Sequence, residues 1–366
     1  MNRRTFLKSS AALAVAQSLP GRAFAAEAAA ELATAGWRTF ETVTRVEVVD
    51  AFGIARAWIP LPLEADNDWH KTIDNSWTGN AETARVEHDG KYGLAMLYAE
   101  WSEREMNPVI DVTSRFMTRD RAVDWSEPRP IDLTAAERQF YTAPTELIAT
   151  DGIVRTTALD ITRGARTDVD KARAIYEWIV EHTFRDPKTR GCGVGDVKSM
   201  LESGNLGGKC ADLNALYVGL ARAVEVPARD VYGVRVAPSR FGYQSLGTGS
   251  PNVTRAQHCR AEFFARGYGW VPVDPADVRK VVLEEPPGNL PLTHAKVRAA
   301  RERLFGSWEM NWLAYNTGHD VKLPHATRAP EKPFLMYVNA EADGELRDEL
   351  DPESVRYHIT SREITL

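Results

Sequence analysis

Cysteine is scarce in this chain: there are three in 366 residues, and none forms a CxxC pair or stands with histidine at zinc-ligand spacing. That excludes a disulfide-stapled scaffold and the common structural zinc sites. No apolar run reaches the roughly 18 residues that a transmembrane helix needs. Basic charge is not in excess, since 45 Lys and Arg face 51 Asp and Glu for a net charge of −6 at pH 7. That balance argues against nucleic acid and anionic membrane as partners. No internal repeat exists, and no low-complexity segment beyond an Ala-rich start. What remains is an ordinary globular composition, 43% hydrophobic and 26% charged, long enough for two domains.

Residues 1–25 read as an export signal rather than as part of a fold. Arg3, Arg4 and Lys8 precede a mild apolar stretch from Ala11 to Leu19, and Ala23-Phe24-Ala25 offers a small-x-small cleavage site. Arg3-Arg4 followed by Phe6, Leu7 and Lys8 resembles a twin-arginine signal. A plain secretory signal is the other reading, and both place the mature protein outside the cytoplasm, in the periplasm or beyond. Cleavage after about Ala25 leaves 41 basic residues against 51 acids, a net charge of −10. Three cysteines in an oxidising compartment leave at least one thiol free, and such a thiol needs a reason.

From Arg38 to about Trp125 the pattern is one of strands. Phe40–Val48, Arg56–Pro62, Tyr92–Trp101 and Val109–Phe116 are β-branched or aromatic and partly alternating, with turn clusters at Asp66–Asp68 and Asp89–Lys91. This predicts an antiparallel β-sandwich domain over 36–127. Pro128 to Pro130 mark a boundary. Helical signals follow: Thr134 and Glu137 at capping-box spacing, then a helix from Thr167–Asp170 with Ala172, Ile175, Tyr176 and Ile179 on one face, then a short one over Val197–Leu201. Cys210 opens the strongest helix, with Leu213, Leu216, Tyr217, Leu220 and Val224 at helical spacing. Strands are expected at Asp230–Val236, His258–Phe264 and Trp270–Asp274, and a helix over Thr293–Phe305 that ends at Gly306. Helices followed by an antiparallel sheet make an α+β domain over 128–325. A C-terminal β extension over 326–366 is expected to hold strands at Phe334–Val338 and Val355–Thr360.

The sharpest chemical signal is Gly207-Gly208-Lys209-Cys210 at a helix start. The positive end of the helix dipole and its unpaired N–H groups favour a thiolate, which is the nucleophilic form. The glycines would let a substrate carbonyl approach, and the Cys210 N–H would donate to a developing oxyanion. Taken alone, a cysteine at a helix start is more often a small buried residue. The second signal is a pair of strands turning near Arg266–Gly267. It places His258 and Asp274 on one face, where a carboxylate could fix the imidazole's tautomer and leave the other ring nitrogen for the thiol. Cys259 points to the opposite face. Cys192 lies 18 residues before Cys210 in a Gly-rich loop, as a loop thiol or, less favoured, as the partner in an inhibitory disulfide.

These blocks together resemble the transglutaminase-like superfamily: Gly-Gly-Lys-Cys210-Ala-Asp-Leu-Asn, Arg222 to Arg229 around Pro227, His258-Cys-Arg-Ala-Glu262-Phe, and Gly269-Trp270-Val-Pro-Val-Asp274-Pro275. The likeness runs from about Asp168 to Asp320. It implies a papain-like fold in which Cys210 is the nucleophile, His258 the general base and acid, and Asp274 the residue that orients His258. Animal transglutaminases carry Trp just after the cysteine, where Ala211 stands here. Many relatives carry Trp two residues after the histidine, where Arg260 stands here. No acidic loop with calcium-ligand spacing is present, and no cofactor or metal is expected. The function implied is acyl transfer on a protein or peptide amide. Hydrolysis is favoured over transamidation because water is always present, and a non-catalytic binding module is the alternative.

Overall fold

The structure, a computed structural model, describes residues 36–328 and 330–365. Residues 1–25, where the sequence suggests an export signal, lie outside the described residues. The fold is α+β: an antiparallel β-sandwich and an α+β unit built against it. No helix among the described residues is long and apolar enough to cross a membrane.

The sandwich begins with β1 (Arg38–Val48), β2 (Ala55–Pro60), β3 (His70–Gly79), β4 (Thr83–His88), β5 (Ala95–Trp101) and β6 (Val109–Thr118). Period-two burial shows why these form strands. Along β6, Ile110, Val112, Ser114 and Phe116 are buried while Val109, Asp111, Thr113 and Arg115 are half-exposed. The inward face of β1 and β6 serves two cores. Val46, Val48, Ile110 and Val112 pack on the second sheet, against Ala57, Leu97 and Trp101. At the far end Phe40 and Phe116 pack against Val234, Leu313 and Tyr315 of the α+β unit.

The short β7 (Arg121–Ala122) leads into α1 (Ala135–Thr142), α2 (Gly152–Ile161) and α3 (Asp168–His182). Thr134 and Glu137 form the expected capping box, and Thr167 with Asp170 forms another. The chain continues through β8 (Phe184–Arg185), α4 (Val197–Ser203), β9 (Gly207–Gly208) and α5 (Cys210–Ala223). All 14 residues of α5 are buried, so this is a central helix rather than an amphipathic one. Some of its polar groups find partners, while Asn214 Oδ1 and the Tyr217 hydroxyl have none among the described residues. Asn214 donates to the Cys259 carbonyl at 2.9 Å, and Arg222 donates to the Ala228 and Ala143 carbonyls at 2.9 Å each.

Against α5 lies a sheet of β10 (Ala228–Arg235), β11 (Gln257–Ala265) and β12 (Gly269–Val273). It is followed by α6 (Pro275–Glu284), α7 (Ala295–Arg303), β13 (Ser307–Trp308) and β14 (Trp312–Asn316). The antiparallel order is β12-β11-β10-β14. β13 pairs with β7 and joins the two units.

The last strands, β15 (Asn339–Ala342), β16 (Glu345–Leu346) and β17 (Val355–Ile364), return to the sandwich, whose sheets run β17-β1-β6-β3 and β16-β15-β2-β5-β4. β17 pairs with β1 along its length, from Thr39↔Ile364 to Val48↔Val355. The amides of Val253 and Ser361 also tie it to the loop before β11, at 2.8 and 2.9 Å.

One expected strand is absent. Phe334–Val338 has no ladder partner, and the strand starts only at Asn339. The run is apolar for another reason. It crosses between the units, with Phe334, Met336 and Tyr337 packed in the α+β core, Leu335 beside Trp58, and Val338 in the sandwich core.

Candidate active site

Cys210 is the first residue of α5 and is 3% exposed. Asp212, one turn in, fastens the segment that faces it. One carboxylate oxygen accepts the Val194 and Gly195 amides at 3.0 Å each, and the other accepts the Lys209 amide at 3.0 Å. The Ala211 amide donates to the Cys192 carbonyl at 2.9 Å. These bonds hold the Gly191–Gly195 loop on the helix start. Gly193, at φ +89°, would put a Cβ within 1.9 Å of Asp212, and at Gly208 a Cβ would come within 2.5 Å of the Asp212 Cβ. The glycine before Lys209 therefore makes room for the Asp212 anchor, whereas the sequence suggested that it makes room for a substrate carbonyl.

His258 and Asp274 meet as the hairpin register requires. β11 and β12 pair Ala261↔Val273 and Glu262↔Pro272, so Asp274 falls beside Arg260, on the His258 face. His258 Nε2 lies 2.8 Å from Asp274 Oδ2. Asp274 is also the N-cap of α6: its Oδ1 accepts the Asp277 amide at 3.0 Å, and Pro275 takes the first helical position. Its direction is thus fixed by a cap as well as by the proline. Asn214 Nδ2 stands 3.4 Å from the same Oδ1.

Behind this pair lies a buried ionic set that sequence reasoning missed. Asp277 takes two 2.6 Å bonds from one Arg235 nitrogen, and its Oδ1 is 3.4 Å from His258 Nε2. Arg260 Nε lies 3.7 Å from Asp274 Oδ2, and its guanidinium stacks near Trp312 at 4.7 Å. An Asp one turn after Asp274-Pro275 was the available signal, because Asp-Pro-x-Asp marks a capped helix start.

The charges set the protonation states. Burial pushes the His258 imidazolium down, but the carboxylates of Asp277 and Asp274 outweigh it and raise its pKa to about 9. The Cys210 thiol is held well below its usual value. The first cause is hydrogen bonding from the Cys192 thiol, then from the Cys259 thiol, with His258 adding a bond and a charge. The three sulfurs are unpaired and buried. Cys192 donates its amide to nothing nearer than the Tyr337 hydroxyl at 2.8 Å, and its Sγ faces the Gln257 carbonyl at 3.5 Å. Cys259 faces α5 from the core side of β11. A thiolate and an imidazolium bring the buried set to three cations, Arg235, Arg260 and His258, against three anions, Cys210, Asp274 and Asp277.

His258, Asp274 and Asp277 offer ligand atoms within 4.8 Å of one another. Arg235 already occupies Asp277 on both oxygens, so a metal would have to displace a guanidinium. Cys210 and His258 open onto a cleft of about 320 Å³, also lined by Cys192, Lys209 and Gln257. Trp270 lies away from it, stacked under Arg229 at 3.9 Å.

The comparisons with known proteins cover the region that holds this site. The model of the transglutaminase-like superfamily matches residues 155–275. An uncharacterized protein of Haemophilus influenzae is 35% identical over 328 residues, spanning 85% of this chain and 87% of its own. A solved structure named "Putative Cysteine Protease" from Cytophaga hutchinsonii superposes with a TM-score of 0.55, over 90% of this chain and 92% of its own, at 13% identity. That last likeness is one of fold. The chain belongs to the transglutaminase-like superfamily.

Proposed function

We propose that this protein is an exported cysteine acyl-transfer enzyme that cleaves a peptide amide through a thioester on Cys210. The observation that carries the reading is the 2.8 Å bond from His258 Nε2 to Asp274. It commits that nitrogen to the carboxylate and leaves Nδ1 for the thiol at the helix start. The thiolate attacks the carbonyl carbon, and the Cys210 N–H donates to the oxyanion. The C–N bond breaks, and the leaving amine takes its proton from the His258 imidazolium. Water then gives a proton to neutral His258 as it attacks the thioester, the acid is released, and the thiolate returns. Asp274 holds the ring throughout.

The alternative, a binding module that keeps the fold without the chemistry, has less support. Burying three cations with three anions costs more than an apolar packing of the same volume. Hydrolysis and amine transfer are separated by their products. Run in oxygen-labelled water with a peptide amine added, hydrolysis puts labelled oxygen into a new carboxylate. A new amide in place of the labelled acid would make the protein a transamidase. Export rests on the charged, then apolar, start of residues 1–25. N-terminal sequencing of the mature protein should begin at about Ala26, and an intact Met1 in the mature protein would contradict export by this route.

A further inference from the structure

The cleft above Cys210 carries a charge opposite to that of the protein. The chain has an excess of acids, 51 against 45 basic residues. Yet five cations, Arg185, Lys209, Arg235, Arg255 and Lys280, line this 320 Å³ cleft, and no carboxylate does. Not all five are available. Arg235 is spent on Asp277. Arg185 and Lys280 share one acid, Glu284, so one of their two charges is left over. Among the described residues, Lys209 and Arg255 have no carboxylate within 4.0 Å. Arg255 is exposed, and Lys209 is half-buried, next to the nucleophile in sequence. The thiolate–imidazolium pair adds no net charge. An excess of positive charge therefore rings the reacting atoms, inside a low-dielectric wall that strengthens its field.

We infer that the acyl-transfer site takes a peptide bearing carboxylates, which Lys209, Arg255 and the Arg185–Lys280 pair receive on either side of the scissile amide. This rests on the catalytic reading and goes beyond it by naming the substrate's charge. Neutral Asn252, Gln257 and Thr248 also line the cleft and offer hydrogen bonds without opposing charge. Guanidinium and ammonium groups grip carboxylates by charge-assisted hydrogen bonds, whereas an acidic lining would repel them.

The test uses two reagents of nearly one size, iodoacetate and iodoacetamide, on the whole protein. Each forms an S–C bond at Cys210 and expels iodide, and they differ in charge. The ratio of the iodoacetate rate to the iodoacetamide rate should exceed that of a free thiol by about tenfold at low salt. It should fall about threefold in Arg255→Gln, in line with one surface charge pair, and further in the Lys209→Gln, Arg255→Gln double variant. It should shrink at about 1 M salt, where charges are screened within about 3 Å. A second arm measures protection of Cys210 from iodoacetamide by a short glutamate peptide with an amidated end and by a glutamine peptide with a free end. Protection by the first assigns side-chain carboxylates, and protection by the second alone assigns a terminal carboxylate. A ratio unmoved by salt and by both variants, with no protection, overturns the inference while Cys210 remains reactive. If Cys210 instead reacts with iodoacetamide as a free thiol does, the catalytic reading is what has failed.

Discussion

Replacing Cys210 with Ala should abolish turnover, by on the order of 10⁶-fold if the loss matches that of a triad nucleophile. No other group at the site can hold the acyl chain. Cys192 and Cys259 are sulfurs too, but in the variant burial still pushes both thiols above their usual pKa, even without the hydrogen bond to Cys210. They stay protonated and are poor nucleophiles. The fold should survive, since Ala fits the first position of α5 and the Asp212 anchor is untouched. Activity of the variant within tenfold of the wild type, measured on the same peptide, would remove Cys210 from the chemistry.

The second large effect is on stability. Arg235 is 4% exposed at its side chain, and it satisfies Asp277 and the Leu246 carbonyl. Arg235→Met leaves Asp277 as a buried carboxylate beside a second one, Asp274, with only His258 and the more distant Arg260 to balance them. Removing one partner of a buried pair costs about 3–5 kcal/mol. Denaturant unfolding should show a loss of that size, and Arg235→Met with Asp277→Leu should recover much of it. The two changes together should also lower the His258 pKa, because the Asp277 charge is the largest influence raising it. A loss below about 1 kcal/mol in the single variant, the range of an exposed pair, would mean that solvent reaches this cluster.

Much of this arrangement is legible in the sequence because it is local. The helix at Cys210, both capping boxes and the β11–β12 hairpin follow from spacing over a few residues. The Phe334–Val338 run misleads because an apolar stretch that crosses between two cores has the composition of a strand. Gly152–Ile161 is a helix despite Ile153, Val154, Thr156 and Thr157, since Val154 and Ala158 are buried in the helical core. The pairing of β17 with β1 links residues more than 300 apart, and no local pattern encodes it. The same holds for the site. Cys210, His258 and Asp274 stand in recognisable blocks, whereas Arg235 meets Asp277 only through the tertiary fold.

The central claim is that Cys210 is a thiolate paired with His258, and the rate of its alkylation by iodoacetamide against pH tests it most directly. Wild type should react through a step well below the free-cysteine value of about 8.5. His258→Ala should move that step upward. Asp274→Asn should move it less, since the ring loses its orienting carboxylate but Asp277 still faces it at 3.4 Å. Turnover, unlike alkylation, should fall as pH rises through about 9, where His258 gives up the proton that the leaving amine needs. One pH profile shared by all three proteins, with its step near 8.5, would contradict the account.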